Sequence, residues 1–456
     1  MTTTHSQMST TARFAVLGEP LQPVQFGYDA LLDGSAVINR LARELPPAAA
    51  DLMEIAATVY VVDQRVTRPR GKGLGAGSTW ARELHVEIPV RQPELWNAHG
   101  SSLADLLAWL TDDTWMLTFI RRDGSTGPLD APQGFLFDMV PDGATPALFS
   151  GGMDSSAGLA TYLADADAVA VSVDTNNWMQ HVQQRVLREL NAVSRHACVP
   201  LRYRVSVRGQ KHAAESSQRS RGLLFLAAGI ATAWTLRQDR LLVFENGIGA
   251  INLPYVRSQF GSQAPKAMHP KTLRIAQSLA SAVSGRPFRI DAPGMTVTKA
   301  ELIRRAPAAA ARALAGTVSC DTGFSARVRG HAPCGTCTSC ILRRQALHAA
   351  GKAYLDPASG YRSSSPEDFS GLRIMRWQES RLRGCLEQPE PWSALVSEFP
   401  DLLDTAPLAP AEVVGLYRSY VQEWEDLPEA FRPRIGRTAA LWRITQTLNM
   451  TKAPRC

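Results

Sequence analysis

The nine residues Leu148-Phe-Ser-Gly-Gly-Met-Asp-Ser-Ser156 limit most sharply what this chain can fold into. A short apolar run, Ala147–Phe149, ends in Ser150-Gly151-Gly152, and a helix-compatible segment, Ser156–Ala164, follows directly. Paired glycines let a backbone approach an anion closely and take dihedrals that other residues avoid. Such a turn aims several N–H groups inward, and the positive end of the following helix adds to them. Ser150, Ser155 and Ser156 add hydroxyl donors, and Asp154 can cap the helix or help place Mg²⁺. The phosphate loop of kinases and GTPases needs a Lys-Ser/Thr pair after its last glycine, and none is present. The plain alternative is a Gly-Gly turn capped by Ser and Asp.

Beyond this loop the chain alternates. Ala168–Val173, Leu201–Val207 and Leu241–Phe244 read as buried strands, and Trp178–His196 and Gly222–Thr235 as helices. Strands and helices alternating at this spacing predict an α/β fold with a doubly wound parallel sheet. Ligands of such sheets bind outside the carboxyl ends of the strands. Asp174, at the end of the second strand, is therefore expected in a nucleotide pocket, or else caps the helix that follows.

The flanks differ in texture. Residues 1–12 are polar, without the apolar core of a signal peptide, and are expected to be a disordered lead-in. Residues 13–145 are expected to form an accessory α+β domain, with strands at Ala57–Val62, Leu84–Val90 and Trp115–Ile120. A helix is expected at Ser102–Leu110 and a mobile loop at Arg68–Gly77. Residues 146–350 make up the α/β domain, and residues 351–456 a helical extension in which Glu412–Trp424 is the clearest helix.

Seven cysteines occur, and four fall within twenty-one residues: Cys320, Cys334, Cys337 and Cys340. In a reducing compartment such a cluster reads as metal ligation rather than disulfides. Four thiolates complete a closed, structural Zn²⁺ site. The C-x₂-C-x₂-C run also suits an iron–sulfur cluster.

The loop resembles the SGGxDS loop of PP-loop (HUP-like) ATP pyrophosphatases. That resemblance implies a loop holding the leaving pyrophosphate while a carboxylate or carbonyl oxygen attacks the α-phosphate of ATP. Together, loop and cysteines resemble the 7-cyano-7-deazaguanine synthase (QueC) family. Supporting features are Asp174 with Gln180-His181, Ser217-Gln-Arg219-Ser-Arg221-Gly222 opening an apolar helix, Thr298-Lys299-Ala300-Glu301, and the cysteine run ending at Arg343. The resemblance spans roughly residues 146–350. It implies adenylation of a 7-carboxy-7-deazaguanine-like carboxylate, then amide or nitrile formation, with ATP, Mg²⁺ and Zn²⁺ as cofactors. Arg219, Arg221 and Lys299 are the implied stabilisers of phosphate charge, alongside Asp154. Three departures stand out: the chain is longer than usual, the Asn after the helix-opening Arg is replaced, and Glu245-Asn246-Gly247-Ile248 opens a different pocket wall.

The added N-terminal region, with Tyr60, Asp63 and Leu110-Thr-Asp-Asp-x-Trp115, looks like the enlarged QueC-like proteins of bacterial anti-phage operons (QatC-like). That likeness implies a defence role and an acceptor amine that is ammonia or a protein amine. It also implies a homodimer or a complex with operon partners. The charge of +7 suits an anionic substrate such as ATP and falls short of a strong nucleic-acid binder. No apolar run reaches the roughly 18 residues of a membrane helix, so a cytoplasmic protein is expected. Two other classes stay open: a nucleic-acid-modifying PP-loop enzyme, marked at most by the basic run 65–72, and a non-catalytic nucleotide-binding component.

Overall fold

The strand that leads into the glycine loop lies mid-way in a six-stranded sheet, as a computed structural model of the chain shows. The structure describes residues 11–41, 43–68, 80–124, 127–130, 140–175, 177–208, 214–215, 217–255, 266–320, 332–362, 370–428 and 431. Of the expected Arg68–Gly77 loop, all but Arg68 lies outside these residues.

The N-terminal region contains β1 (Thr11–Val16), β2 (Gln22–Gln25), β3 (Ala30–Asp33), α1 (Ser35–Leu41), α2 (Pro47–Arg65), β4 (Glu83–Val90), α3 (Pro93–Ala98), α4 (Gly100–Thr111) and β5 (Thr114–Arg121). Next come β6 (Thr145–Leu148), α5 (Met153–Tyr162), β7 (Ala168–Asp174), α6 (Asn177–Val193), β8 (Cys198–Val207), α7 (Arg221–Thr235) and β9 (Arg240–Val243). These are followed by α8 (Gly247–Ile251), α9 (Pro270–Ser284), β10 (Arg289–Asp291), α10 (Lys299–Arg305), α11 (Ala311–Ala315) and α12 (Thr338–Ala349). The extension supplies α13 (Ser370–Leu386), α14 (Pro391–Glu398) and α15 (Pro410–Glu425).

The larger sheet has the order β10-β9-β6-β7-β8-β3. Its first five strands pair in parallel, and β3 closes the β8 edge antiparallel. Strands of a sheet buried on both faces read as near-continuous apolar runs, and all seven residues of β7 are buried, Ser172 and Asp174 at its carboxyl end included. Val169, Val171 and Val173 face a core shared with α2 and α7, while Ala168 and Ala170 face the core beneath α5 and α6. The doubly wound α/β fold expected for this region is therefore present. The smaller sheet, β2-β1-β4-β5, belongs to the N-terminal region, and α13–α15 pack as a helical layer on α8 and α12.

Two local expectations need correction. Ala57–Val62, expected as a strand, lies within α2. Pro47 at the first helical turn and the alanines at 48–50 favour a helix. The helix is buried all round against α7 and the sheet, so it shows no amphipathic period. Thr11 and Ala12, expected in a disordered lead-in, open β1.

Candidate active site

The loop after β6 does what its glycines permit. Gly151 adopts φ +79°, the left-handed region, and a Cβ there would sit 2.9 Å from Gln183 Cγ, so a side chain meets both strain and a clash. The turn is cross-tied from within. Gly152 N donates to Ser150 Oγ (3.2 Å), Ser150 and Ser155 hydroxyls lie 3.1 Å apart, and Ser156 Oγ donates to Gly152 O (2.8 Å). From α6, Gln183 Nε2 donates to Ser150 O (3.2 Å). Met153, expected among the loop's binding residues, packs into the core at the start of α5 and also belongs to the lining of the cleft beside the loop.

Opposite the loop stands α10. Its first turn carries a capping box in which the Thr298 hydroxyl accepts from Glu301 N and Glu301 accepts from Thr298 N. The cap fixes Lys299 at the first helical position, and its ammonium forms a buried ion pair with Asp154 Oδ2. The other oxygen, Asp154 Oδ1, is buried without a hydrogen-bond partner.

Two lobes adjoin at Ser150, Met179, Glu245 and Met268, and the Lys299–Asp154 pair lines the second of them. The first lies at the carboxyl ends of β6, β7 and β9 and is lined by Ser150, Asp174, Gln183, Arg221, Phe225 and Phe244 among others. The second runs between the loop, α8 and the start of α12, and includes Asp154, Asn246, Gly249, Leu253, Tyr255, Lys299 and Ser339. Asp174 is buried, and neither of its carboxylate oxygens has a hydrogen-bond partner, although Arg202 Nε lies 3.1 Å from Oδ2. It therefore does not cap α6. Burial raises its affinity for a proton, opposed by Arg202 and Arg204.

The two candidate arginines separate. Arg221 lines the first lobe over the Phe225 ring. Arg219 is turned toward the N-terminal region, where it pairs with Asp112 at 2.6 Å and stacks over Trp80. It is absent from the lining of both lobes. Asp63 of α2 determines where α7 begins, accepting from Ser220 N (3.0 Å) and Ser220 Oγ (2.7 Å). The N-terminal region thus sets the position of Arg221.

Glu245 and Gln183 were not among the sequence candidates. Glu245 lies two residues past β9, where ligands of such sheets bind, and that position was the available signal. Burial and the neighbouring Asp154 push its carboxyl up to about 8, against the pull of Lys299. Gln183 had no local signal, because α6 brings it to the loop through the fold.

The four cysteines converge. The sulfurs of Cys320, Cys334, Cys337 and Cys340 all lie within 4.8 Å of one another, and Cys334 and Cys340 are 3.9 Å apart. A tetrahedral Zn²⁺ with Zn–S of about 2.3 Å has edges of about 3.8 Å, so the set fits one ion. A cluster of several irons would hold the sulfurs further apart. Gly335 at φ +81° makes the turn between ligands, and Cys337 and Cys340 N–H groups donate to Cys334 and Cys337 sulfurs. Arg343 ties this knuckle to Thr317 and Asp356.

Comparison with known proteins places these features. Residues 244–351 match the family described as queuosine biosynthesis protein QueC. This stretch holds Glu245, Lys299 and all four cysteines, while the glycine loop precedes it. Relatives include a 7-cyano-7-deazaguanine synthase of Anaeromyxobacter sp. (strain Fw109-5), 33% identical over 137 residues, 29% of this chain and 51% of the relative. The enzyme of the same name from Acetivibrio thermocellus is 28% identical over 132 residues, 29% of this chain and 53% of the relative. The chain thus spans about half the length of each relative it matches. Among the described residues, no helix is long and apolar enough to cross a membrane.

Proposed function

We propose that this protein adenylates the carboxylate of a 7-deazapurine, such as 7-carboxy-7-deazaguanine, and passes the activated acyl group to an amine. The observation that carries the reading is the buried meeting of Lys299 with Asp154 of the Ser-Gly-Gly-x-Asp-Ser loop, in the wall of the second lobe, while Ser150 of the same loop lines both lobes. ATP occupies the first lobe, with its phosphates on the loop and Arg221 and Asp174 beside the nucleoside. The substrate carboxylate in the second lobe attacks the α-phosphate, and pyrophosphate leaves. An amine then attacks the acyl carbon, loses a proton and releases AMP. A nitrile product requires a second ATP to activate the amide oxygen before dehydration.

The protein supplies positioning and charge, and needs no nucleophile of its own. The unpartnered Asp154 Oδ1 fits a Mg²⁺ ligand. When bound, that ion would neutralise charge on the leaving pyrophosphate. The cysteine set would hold Zn²⁺ as a structural clamp between the segment after α11 and the start of α12. In this reading the acceptor is ammonia or a protein amine, and the enlarged chain serves in anti-phage defence.

The test is AMP formation from ATP with 7-carboxy-7-deazaguanine, Mg²⁺ and ammonium, set against Asp154→Ala. Carboxylate-dependent AMP from the wild type, lost in the variant, supports the reading. ATP consumption indifferent to the carboxylate contradicts it. Mass spectrometry of candidate partner proteins then separates ammonia from a protein acceptor.

A further inference from the structure

In the wall of the second lobe lies a donor that the fold leaves unanswered. Asn246 is 0% exposed. Its Oδ1 has a structural task, accepting from Gly249 N at 3.0 Å to cap α8. Its Nδ2 has no hydrogen-bond partner. A buried amide donor without a partner costs about 1–3 kcal/mol, so buried donors of this kind are normally paired. Asn246 lines the lobe, and Gly249 keeps the approach open: a Cβ on Gly249 would stand 2.9 Å from Asn246 Nδ2 and 2.7 Å from Glu245 Oε1. One glycine thus exposes a donor and an acceptor to the same space. Leu253, Pro254, Met268 and Leu342 give the lobe apolar walls that suit a flat ring.

We propose that Asn246 selects the carboxylate substrate, its Nδ2 donating to a ring carbonyl of a planar heterocycle in this lobe, with Glu245 facing the adjoining ring N–H. The ligand class is a cyclic amide, O=C–N–H, as in an oxopurine-like base. The reacting carboxylate is drawn to the cation Lys299, which leaves the neutral amide for a neutral carbonyl. The inference rests on the adenylation reading, and gives it a specificity residue outside the loop.

The cap and the donor can be separated by substitution. Asn246→Asp keeps the capping oxygen and removes the donor, and Asn246→Ser keeps a capping oxygen without adding charge while replacing Nδ2 by a hydroxyl one bond shorter. The experiment compares 7-carboxy-7-deazaguanine with its analogue carrying hydrogen in place of the ring carbonyl, by calorimetric binding and by AMP formation. Wild type is expected to bind the analogue roughly ten- to hundredfold more weakly. Both variants are expected to bind the parent as weakly as wild type binds the analogue, with no further loss on the analogue and an unchanged KM for ATP. Equal discrimination by wild type and variants overturns the assignment while leaving adenylation standing, as does a loss in both variants confined to ATP. If wild type binds neither compound, the assignment and the adenylation reading fail together.

Discussion

Replacing Lys299 by Met removes the cation facing the loop and keeps most of the side-chain volume. Lys299 and Asp154 side chains are 8% and 12% exposed, so water does little to compensate the survivor. Breaking a buried pair by deleting one partner costs about 3–5 kcal/mol. Glu245 sharpens the effect, because the Asp154 carboxylate would then be left beside another carboxyl without its cation. Lys299→Met is therefore expected to lose about 3 kcal/mol of stability in guanidinium unfolding, and Asp154→Asn a similar amount. The double variant, with neither charge, is expected to lose less than the sum by about 2 kcal/mol, since contacting residues couple. AMP formation should fall by roughly a hundredfold or more in each single variant. Additive stability losses, to within about 0.5 kcal/mol, would refute the pairing.

Arg221→Ala is expected to raise the KM for ATP about tenfold or more, whereas Arg219→Ala, whose partners are Asp112 and Trp80, leaves it unchanged; steady-state kinetics of both variants decides. Purified protein is expected to contain one zinc per chain by elemental analysis, and Cys340→Ser to lose it with a fall in melting temperature. Stoichiometric iron with visible absorbance would contradict the single-ion geometry. His269 caps α9 with Nδ1 accepting from Lys271 N, and burial against the Trp109 ring, aided by Lys266 and Lys271 and opposed by Asp404, lowers it to about 4. It is neutral when folded and protonates more readily when unfolded. Stability is thus fully present above pH 6.5 and declines as pH falls toward 4, by roughly 3 kcal/mol in all. Unfolding curves of His269→Asn, which keeps a capping side chain, should lack this acid limb.

What could be read in the sequence was local. The glycine loop, the Thr298–Glu301 cap and the cysteine spacing each encode their geometry within a few residues, and the apolar runs of β7 and β9 signal a buried parallel sheet. Contacts made by the fold were hidden. The α2 helix is apolar on every side, so Ala57–Val62 carries no period to distinguish helix from strand. No pattern announces that β3 joins the parallel sheet, that Asp63 caps α7, or that Asp112 holds Arg219 away from the cleft. Glu423, on the extension, accepts from Thr298 and Gln345 and so braces the helix that carries Lys299. Its role depends on a partner 125 residues distant.

The acyl-adenylate is the central claim, and oxygen transfer tests it most directly. With ¹⁸O in the substrate carboxylate, attack on the α-phosphate followed by acyl transfer delivers one label to AMP. Mass spectrometry of AMP is expected to show a two-dalton gain that tracks turnover and disappears in Asp154→Ala. AMP formed without label from a labelled, consumed carboxylate would contradict the account.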